Sequence, residues 1–233
     1  MNIAIIFAGG KGTRMSLADK PKQFLEIDNK PILCYTIDHF QNSDLIDAII
    51  VVINKDWLEH TKNILENYSK VVSIIPGGKT ALDSQFIGLS EAEKFAKDGE
   101  HIVLIHDGVR PLINKKLIAD CISSVKEKGN GITTAPATET IIRTNANGDV
   151  TEILDRAFCQ YARAPQAFYL ADILSAHRKS IKEEKHDFID SATMMSYYGY
   201  TLHTVLGPYD NIKVTTDKDF FICKGLLPHL GEK

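Results

Sequence analysis

The sequence predicts an α/β fold, with a mostly parallel, twisted sheet flanked by helices. Two observations carry this. Short, mostly β-branched apolar runs recur along the first half of the chain, and segments of helical periodicity fall between them. Such runs suit strands buried on both faces, and strand–helix alternation implies right-handed crossovers between parallel neighbours. The size agrees: 233 residues, 44% hydrophobic and 24% charged, are ordinary globular values. A core of that size needs no disulfide or metal staple.

Taken in order, strands are expected at residues 3–7, 48–53, 71–75 and 102–105. Helices are expected over 32–40, 57–68, 82–95 and 116–125, with Asp56 near the N-cap of the second. The pattern changes after about residue 135. Residues 140–143 and 150–154 are extended and flank the polar turn Asn145-Ala146-Asn147-Gly148-Asp149, which is a hairpin signature. Helices follow at 169–179 and 191–198, then a strand at 201–206 and a closing helix at 217–227. No linker divides the chain. The expectation is a single domain over 1–233, with 136–158 as an inserted, projecting β-arm.

Composition excludes several classes. With 27 Lys+Arg against 30 Asp+Glu, the net charge is -3, which argues against a dedicated nucleic-acid binder. No apolar run approaches the roughly 18–20 residues of a membrane span. The start, MNIAIIFAGG, lacks a basic region and runs into a glycine turn, unlike a secretory signal. Cys34, Cys121, Cys159 and Cys223 form no CxxC pair or Cys/His cluster. They suit reduced thiols in a cytoplasmic protein.

The most informative segment is Phe7-Ala8-Gly9-Gly10-Lys11-Gly12-Thr13-Arg14-Met15, directly after the first strand. Its glycines let backbone N–H groups approach a ligand closely. Lys11, Arg14, Lys20 and Lys22 add positive charge within a few residues, a combination suited to a polyphosphate. The spacing is neither that of a dinucleotide-binding dehydrogenase nor that of a P-loop.

Together with Lys20-Pro21-Lys22-Gln23-Phe24, this segment resembles the nucleotidyltransferases that activate sugar or polyol phosphates, and in particular their cytidylyltransferase branch. That branch includes the methylerythritol-phosphate and ribitol-5-phosphate cytidylyltransferases. Four further segments resemble its motifs in order: Gly77-Gly78 with Asp83-Ser84, His106-Asp107-Gly108-Val109-Arg110-Pro111, Ala164-Pro165-Gln166, and Asp210-Asn211-Ile212-Lys213-Val214-Thr215. The fold so implied is a Rossmann-like nucleotidyltransferase.

In such a reaction a phosphate oxygen of the acceptor attacks the α-phosphorus of CTP, and pyrophosphate leaves. The nucleophile is already an anion, so the protein must position two anions and stabilise charge. Basic residues and Mg²⁺ (or another divalent cation) are the expected tools. By resemblance, Arg14 and Lys22 stabilise the transition state on the triphosphate, and Arg156 and Lys213 position the acceptor phosphate. Phe7, Ala8, Gly9, Gly10, Lys11, Gly12, Gly78, Lys79, Ser84 and Gly108 match CTP-binding positions. Asp107, Arg110, Thr140 and Thr215 join Arg156 and Lys213 as polyol-phosphate contacts, and Asp107 is also the candidate metal ligand. Thr140 and Arg156 would lie on an arm that reaches a neighbouring subunit's site, implying a homodimer.

Other residues have plainer readings. His106 suits a buried, hydrogen-bonded histidine; His186-Asp187 suits a polar loop entering a helix, with Asp190 matching an acidic family position; Met194-Met195 suit helix packing. The chain departs from the family pattern at Ala81, where arginine is expected, at Ala164 for threonine, and at Gly108 for alanine. Lys79 would replace the missing charge only in part. The stretches 28–33 and 56–61 resemble the ribitol-phosphate branch. Ribitol 5-phosphate is therefore the first expected acceptor and methylerythritol 4-phosphate the second. A fold that kept nucleotide binding without chemistry, or that used UTP or ATP, is the competing expectation.

Overall fold

The computed structural model describes residues 1–10, 20–96 and 99–229. Its axis is β1 (Asn2–Ala8), after which a small hairpin pairs β2 (Glu26–Ile27) with β3 (Lys30–Pro31). There follow α1 (Ile32–Gln41), β4 (Ala48–Ile53), α2 (Leu58–Ile64), β5 (Val71–Pro76), α3 (Ala81–Phe95), β6 (Ile102–Asp107) and α4 (Lys115–Lys128). The second half contains β7 (Asn130–Pro136), β8 (Ile142–Thr144), β9 (Val150–Ile153), β10 (Gln160–Tyr169), α5 (Leu170–Lys182), α6 (Ser191–Tyr197), β11 (Thr204–Leu206) and α7 (Asp217–Leu226). Seven strands form the main sheet in the order β11-β7-β10-β6-β1-β4-β5. All neighbours are parallel except β10, which is antiparallel to both β6 and β7.

Side-chain alternation along the strands builds two cores. One face of β1 and β4 presents Ala4, Ile6, Ile49 and Val51 to Leu33, Ile37 and Phe40 of α1 and to Leu117, Cys121 and Val125 of α4. The other presents Ile3, Ile5, Ile50 and Val52 to α3, α5 and α6, where Met194 and Met195 are buried. Every residue of β4 is buried, which is why its sequence reads as an unbroken apolar run. Burying each Val or Ile side chain contributes about 1.5–3 kcal/mol. A third, smaller cluster joins Leu25, Ile27, Ile32, Val109, Leu112, Val214 and Cys223. It lies under the loops that leave β1 and β6 and fixes their spacing.

The structure corrects several expected elements. β7 and β10 were not anticipated. β7 reads Asn-Gly-Ile-Thr-Thr-Ala-Pro, yet only its proline is exposed. Its threonines are buried because their hydroxyls find acceptors, Thr133 Oγ1 donating to the Pro165 carbonyl at 2.6 Å. β10 is broken by Pro165 and a register shift between Ala162 and Gln166, which hides its periodicity. The helix expected at 57–68 is only α2, preceded by a 3₁₀ turn at Lys55–Trp57. The residue capping that turn is Asn54, not Asp56, whose own N–H donates to Asn54 Oδ1. The strand expected at 201–206 shortens to β11, and α5 runs on to Lys182.

Helix boundaries follow local chemistry. α3 and α7 open on capping boxes, Thr80 with Asp83 and Thr216 with Asp219. α4 starts at Asn114 and ends at Gly129, whose φ of +88° is readily adopted only by glycine. Gly88 lets α3 press onto the sheet: a Cβ there would lie 2.7 Å from Ile5 Cγ2 and 3.0 Å from Val52 Cγ2. Gly88→Ala should therefore destabilise the fold by about 1 kcal/mol, overpacking outweighing the gain in helix propensity. The urea midpoint should fall at unchanged m-value; a midpoint equal to or above that of the parent would refute this packing account.

Candidate active site

The carboxyl ends of β1 and β6 lie side by side and organise the candidate residues. At β1 the Ala8 carbonyl accepts from Gln23 Nε2 at 2.6 Å. This bond draws the turn Lys22–Phe24 against the strand end. Phe24 locks it from below, stacking on Trp57 with centroids 4.9 Å apart and meeting His60 edge-on at 4.7 Å. Lys22 is thereby set beside the glycine turn: a Cβ built on Gly10 would lie 3.8 Å from Lys22 Cε. Gly9 and Gly10 are exposed, Ala8 is buried, and Phe7 packs partly into the core. Lys20, expected to face phosphate, instead pairs with Glu26 at 2.8 Å. Lys11, Gly12 and Arg14 lie outside the described residues.

The second glycine loop joins β5 to α3. The Gly77 N–H donates to the Ile53 carbonyl and the Gly78 N–H to Ser84 Oγ. Ser84 Oγ in turn donates to the Thr80 carbonyl at 2.9 Å, so this hydroxyl braces the loop from within. A Cβ on Gly78 would meet Asp83 Cβ at 2.4 Å, so the turn requires glycine there. Lys79 and Ala81 are exposed at the helix start, and Lys79 is the one cation of the stretch 77–84.

At the end of β6 the Asp107 carboxylate accepts from Arg110 Nε at 2.8 Å and from Lys213 Nζ at 2.7 Å. Lys213 is 106 positions from Asp107 in sequence, and the loop 210–215 carries it to the strand end. The Val214 N–H donates to the Val109 carbonyl at 2.9 Å, and buried Asn211 donates through Nδ2 to the Ala164 carbonyl at 2.6 Å. Arg110 Nη1 reaches the Asn211 carbonyl at 2.9 Å. Burial alone would raise the Asp107 carboxyl, but the charges and hydrogen bonds of Lys213 and Arg110 outweigh it and hold it at about 2. Thr215 sits at the loop's end, its hydroxyl donating to the Lys213 carbonyl and its N–H to Asp219.

The neighbouring residues also make internal contacts. His106 is buried, and its Nε2–H donates to the Arg110 carbonyl at 3.1 Å. Burial lowers its pKa to about 4, so it is a neutral brace. Gly108 is buried too, its N–H on the Phe7 carbonyl, and a Cβ there would lie 2.9 Å from Leu33 Cδ1 and 3.0 Å from Ala8 Cβ. Tight strand packing accounts for glycine here. Asp190 caps α6, accepting from Thr193 N–H at 2.8 Å, and takes Gln166 Nε2 at 2.7 Å.

Thr140 and Arg156 belong to the arm and its base. β8 and β9 pair only with each other, and all their residues are exposed. Arg156 Nη1 donates to the Thr138 carbonyl at 2.8 Å, and Thr138 Oγ1 shares a hydrogen bond with Tyr209 Oη. Among the described residues no hydrogen bond or ion pair joins Thr140 or Arg156 to Asp107, Arg110 or Lys213. Sequence reasoning also missed Arg163, whose Nη1 donates to the Asn211 carbonyl at 3.1 Å. Its only signal was its place directly before Ala164-Pro165-Gln166.

For a divalent cation, the donor set is sparse. Among the described residues no group of three or more His, Cys, Asp or Glu could hold a metal. Asp107 is a single carboxylate already engaged by two cations. That set fits Mg²⁺ carried chiefly on phosphate oxygens, with Asp107 as its one protein carboxylate.

Acid should weaken the fold in two windows. His106 and His177 are both lowered to about 4 by burial, so the unfolded chain takes up protons first as pH falls from 6.5 toward 4. Asp107 is depressed from 3.8 to about 2, so its contribution, present above 3.8, is lost as pH falls through 2. Urea midpoints measured across pH should show both declines, and Asp107→Asn should lessen only the lower one, to which the lowered Asp219 and Glu91 also contribute. A flat midpoint between pH 6.5 and 4 would contradict the buried neutral histidines.

Known proteins resemble this chain over nearly its whole length. It is 49% identical over 228 residues to ribitol-5-phosphate cytidylyltransferase of Streptococcus agalactiae serotype III, covering 97% of this chain and 95% of that one. It is 38% identical to 2-C-methyl-D-erythritol 4-phosphate cytidylyltransferase of Clostridium botulinum strain Eklund 17B, covering 96% and 98%. The crystal structure of 4-diphosphocytidyl-2C-methyl-D-erythritol synthase from Anaerococcus prevotii superposes with a TM-score of 0.84 at 28% identity, covering 97% of this chain and 96% of that one. The model of the IspD family, 2-C-methyl-D-erythritol 4-phosphate cytidylyltransferase, matches residues 2–228, and the chain belongs to that family of cytidylyltransferases.

Proposed function

We propose that the protein transfers a cytidylyl group from CTP to D-ribitol 5-phosphate, yielding CDP-ribitol and pyrophosphate. The observation that carries the chemistry is the ion-pair hub of Asp107, Arg110 and Lys213 at the carboxyl edge of β6, adjacent to the glycine turn of β1. It offers charge for two anions and no nucleophile poised beside a base. None is required. A phosphate monoester has a second pKa of about 6 and is largely dianionic at neutral pH. Its oxygen forms the new bond to the α-phosphorus while the bond from that phosphorus to the bridging oxygen breaks, and pyrophosphate leaves.

The residues divide this work. Lys22, with Arg14, neutralises the triphosphate as negative charge shifts to the leaving group. Gly9, Gly10, Gly78 and Lys79 receive the nucleotide, and Lys213 and Arg110 hold the acceptor phosphate. Asp107 keeps those two cations in place and would be the residue to hold a divalent cation, which would supply further charge neutralisation. The acceptor assignment follows the relative of 49% identity, above the 38% shared with the methylerythritol-phosphate enzyme. Four unpaired cysteines, three of them buried, suit a reducing cytoplasm. No helix among the described residues is long and apolar enough to cross a membrane.

The arm supports a homodimer with shared sites. Ile142, Val150, Ile153 and Phe158 are exposed on it, Phe158 by 86%. Apolar groups of this size projecting from a two-stranded ribbon suit burial against a second copy. Thr140 and Arg156 would then serve the partner's acceptor phosphate.

Two measurements test this reading. Pyrophosphate release should require CTP rather than UTP or ATP, and should be fastest with ribitol 5-phosphate among alditol phosphates and methylerythritol 4-phosphate. Lys22→Ala should lower kcat more than it raises KM. No release with any acceptor would sink the catalytic reading, and preference for methylerythritol 4-phosphate would replace the substrate. For the arm, Arg156→Ala and Lys213→Ala should each be nearly inactive, yet mixing them should restore up to about a quarter of the activity through hybrid dimers. A monomeric mass, or no recovery on mixing, would exclude shared sites.

A further inference from the structure

Arg163 stands at the edge of this site without a carboxylate partner among the described residues. It lies in β10 where the ladder to β7 shifts register, between Ala162 and Gln166. Its Nη1 donates to the Asn211 carbonyl, the same oxygen that takes Arg110 Nη1. Its Nε is buried with no hydrogen-bond partner. Among the described residues no carboxylate pairs with it. Its other near neighbour is the Tyr161 ring, 5.8 Å from Cζ.

Bracing the loop does not account for this arrangement. The Asn211 carbonyl can accept from both guanidinium groups, but this occupies a single Arg163 donor, leaves its buried Nε unmet and brings two like charges to one oxygen. Burial first, and then the charge of Arg110, lower the Arg163 pKa. The contacts run from Lys213 through Asp107 and Arg110 to Asn211 and Arg163, so a third cation converges on a hub whose one carboxylate is taken by the other two. Converging cations with unmet donors are complementary to an anion with several acceptor oxygens.

The topology indicates which anion. β10 runs antiparallel to β6, so its first residues lie at the carboxyl edge of β6. The glycine loops that follow β1 and β5 belong to the other half of the sheet, with β4 between those two strands. The triphosphate belongs with those loops and the acceptor with β6 and β10.

We propose that Arg163 is a further substrate-binding residue, whose guanidinium donates to the acceptor's phosphate beside Arg110 and Lys213. This rests on the polyol-phosphate reading above. A guanidinium suits the task because it can present two parallel donors to one phosphate, which an ammonium cannot.

Arg163→Gln should raise the KM for ribitol 5-phosphate about tenfold or more, roughly 1.4 kcal/mol, with the KM for CTP nearly unchanged. Its melting temperature should stay within about 2 °C of the parent. Arg163→Lys should recover only part of the loss. Inorganic phosphate titrated calorimetrically into both proteins reads the same contact without turnover, and Arg163→Gln should weaken it about fivefold, close to 1 kcal/mol. Unchanged KM and unchanged phosphate affinity would overturn the proposal. So would a lower melting temperature with both KM values raised alike, which is the signature of a brace. If the parent protein turns over no polyol phosphate, the substrate reading fails, and the phosphate titration still decides whether Arg163 binds an anion.

Discussion

The Asp107 carboxylate is the constraint on which the site depends. Lys213 and Arg110 are held on either side of it, at the end of a strand whose neighbours are buried. Without an anion between them, these cations would repel one another and pull the 210–215 loop away from β6. A carboxylate in that position is costly to bury alone, and the two cations remove that cost. Its depressed pKa and the position of the loop are therefore one fact seen from two sides. The Val214–Val109 bond and the third apolar cluster support the hub from below, joining the loops that leave β1 and β6 to the start of α7.

The sheet turns this local arrangement into a crevice. β1 and β6 are adjacent and parallel, in register from Asn2 with Ile102 to Phe7 with Asp107, so their carboxyl ends open on the same edge. The glycine turn follows one end and the ion-pair hub follows the other. This is where ligands bind in open α/β sheets. β10 adds a strand of opposite direction, which brings residues near its amino end to that same edge. The buried sheet thus sets the distance between the Lys22 turn at the end of β1 and the Asp107 hub at the end of β6. That distance, rather than any nucleophilic side chain, is what the proposed reaction needs from the protein.

The arm obeys a different logic. β8 and β9 make no ladder with the main sheet, and their apolar side chains face outward. A two-stranded ribbon alone is marginal in water. Its base is tied down by Arg156 on the Thr138 carbonyl and by Thr138 on Tyr209. The proposed second copy would bury what one chain leaves exposed, and would bring the arm's cation to a phosphate that its own chain does not offer it.

Much of this was legible beforehand. The runs at β1, β4, β5 and β6 announced themselves because strands buried on both faces must be apolar throughout. Glycine turns and the basic residues near them were legible because close backbone approach and phosphate charge demand those residue types. The motifs around Asp107 and Lys213 were recognisable one by one. β7 and β10 were not, because their threonines, proline and register shift are tolerated only where a neighbouring carbonyl or a bulge satisfies them. Lys20 could not be told apart from Lys22 by sequence, since only the folded turn pairs it with Glu26. By itself, the sequence determined the fold class and the polyphosphate-suited glycine turn, because those depend on local residue type and spacing, while the type of chemistry came from the resemblance of its ordered motifs to a known family. Only the tertiary structure decided that Asp107 joins Arg110 to Lys213 and that Arg163 converges on the same carbonyl. Those contacts link residues up to 106 positions apart, and it is the sheet order that brings them together.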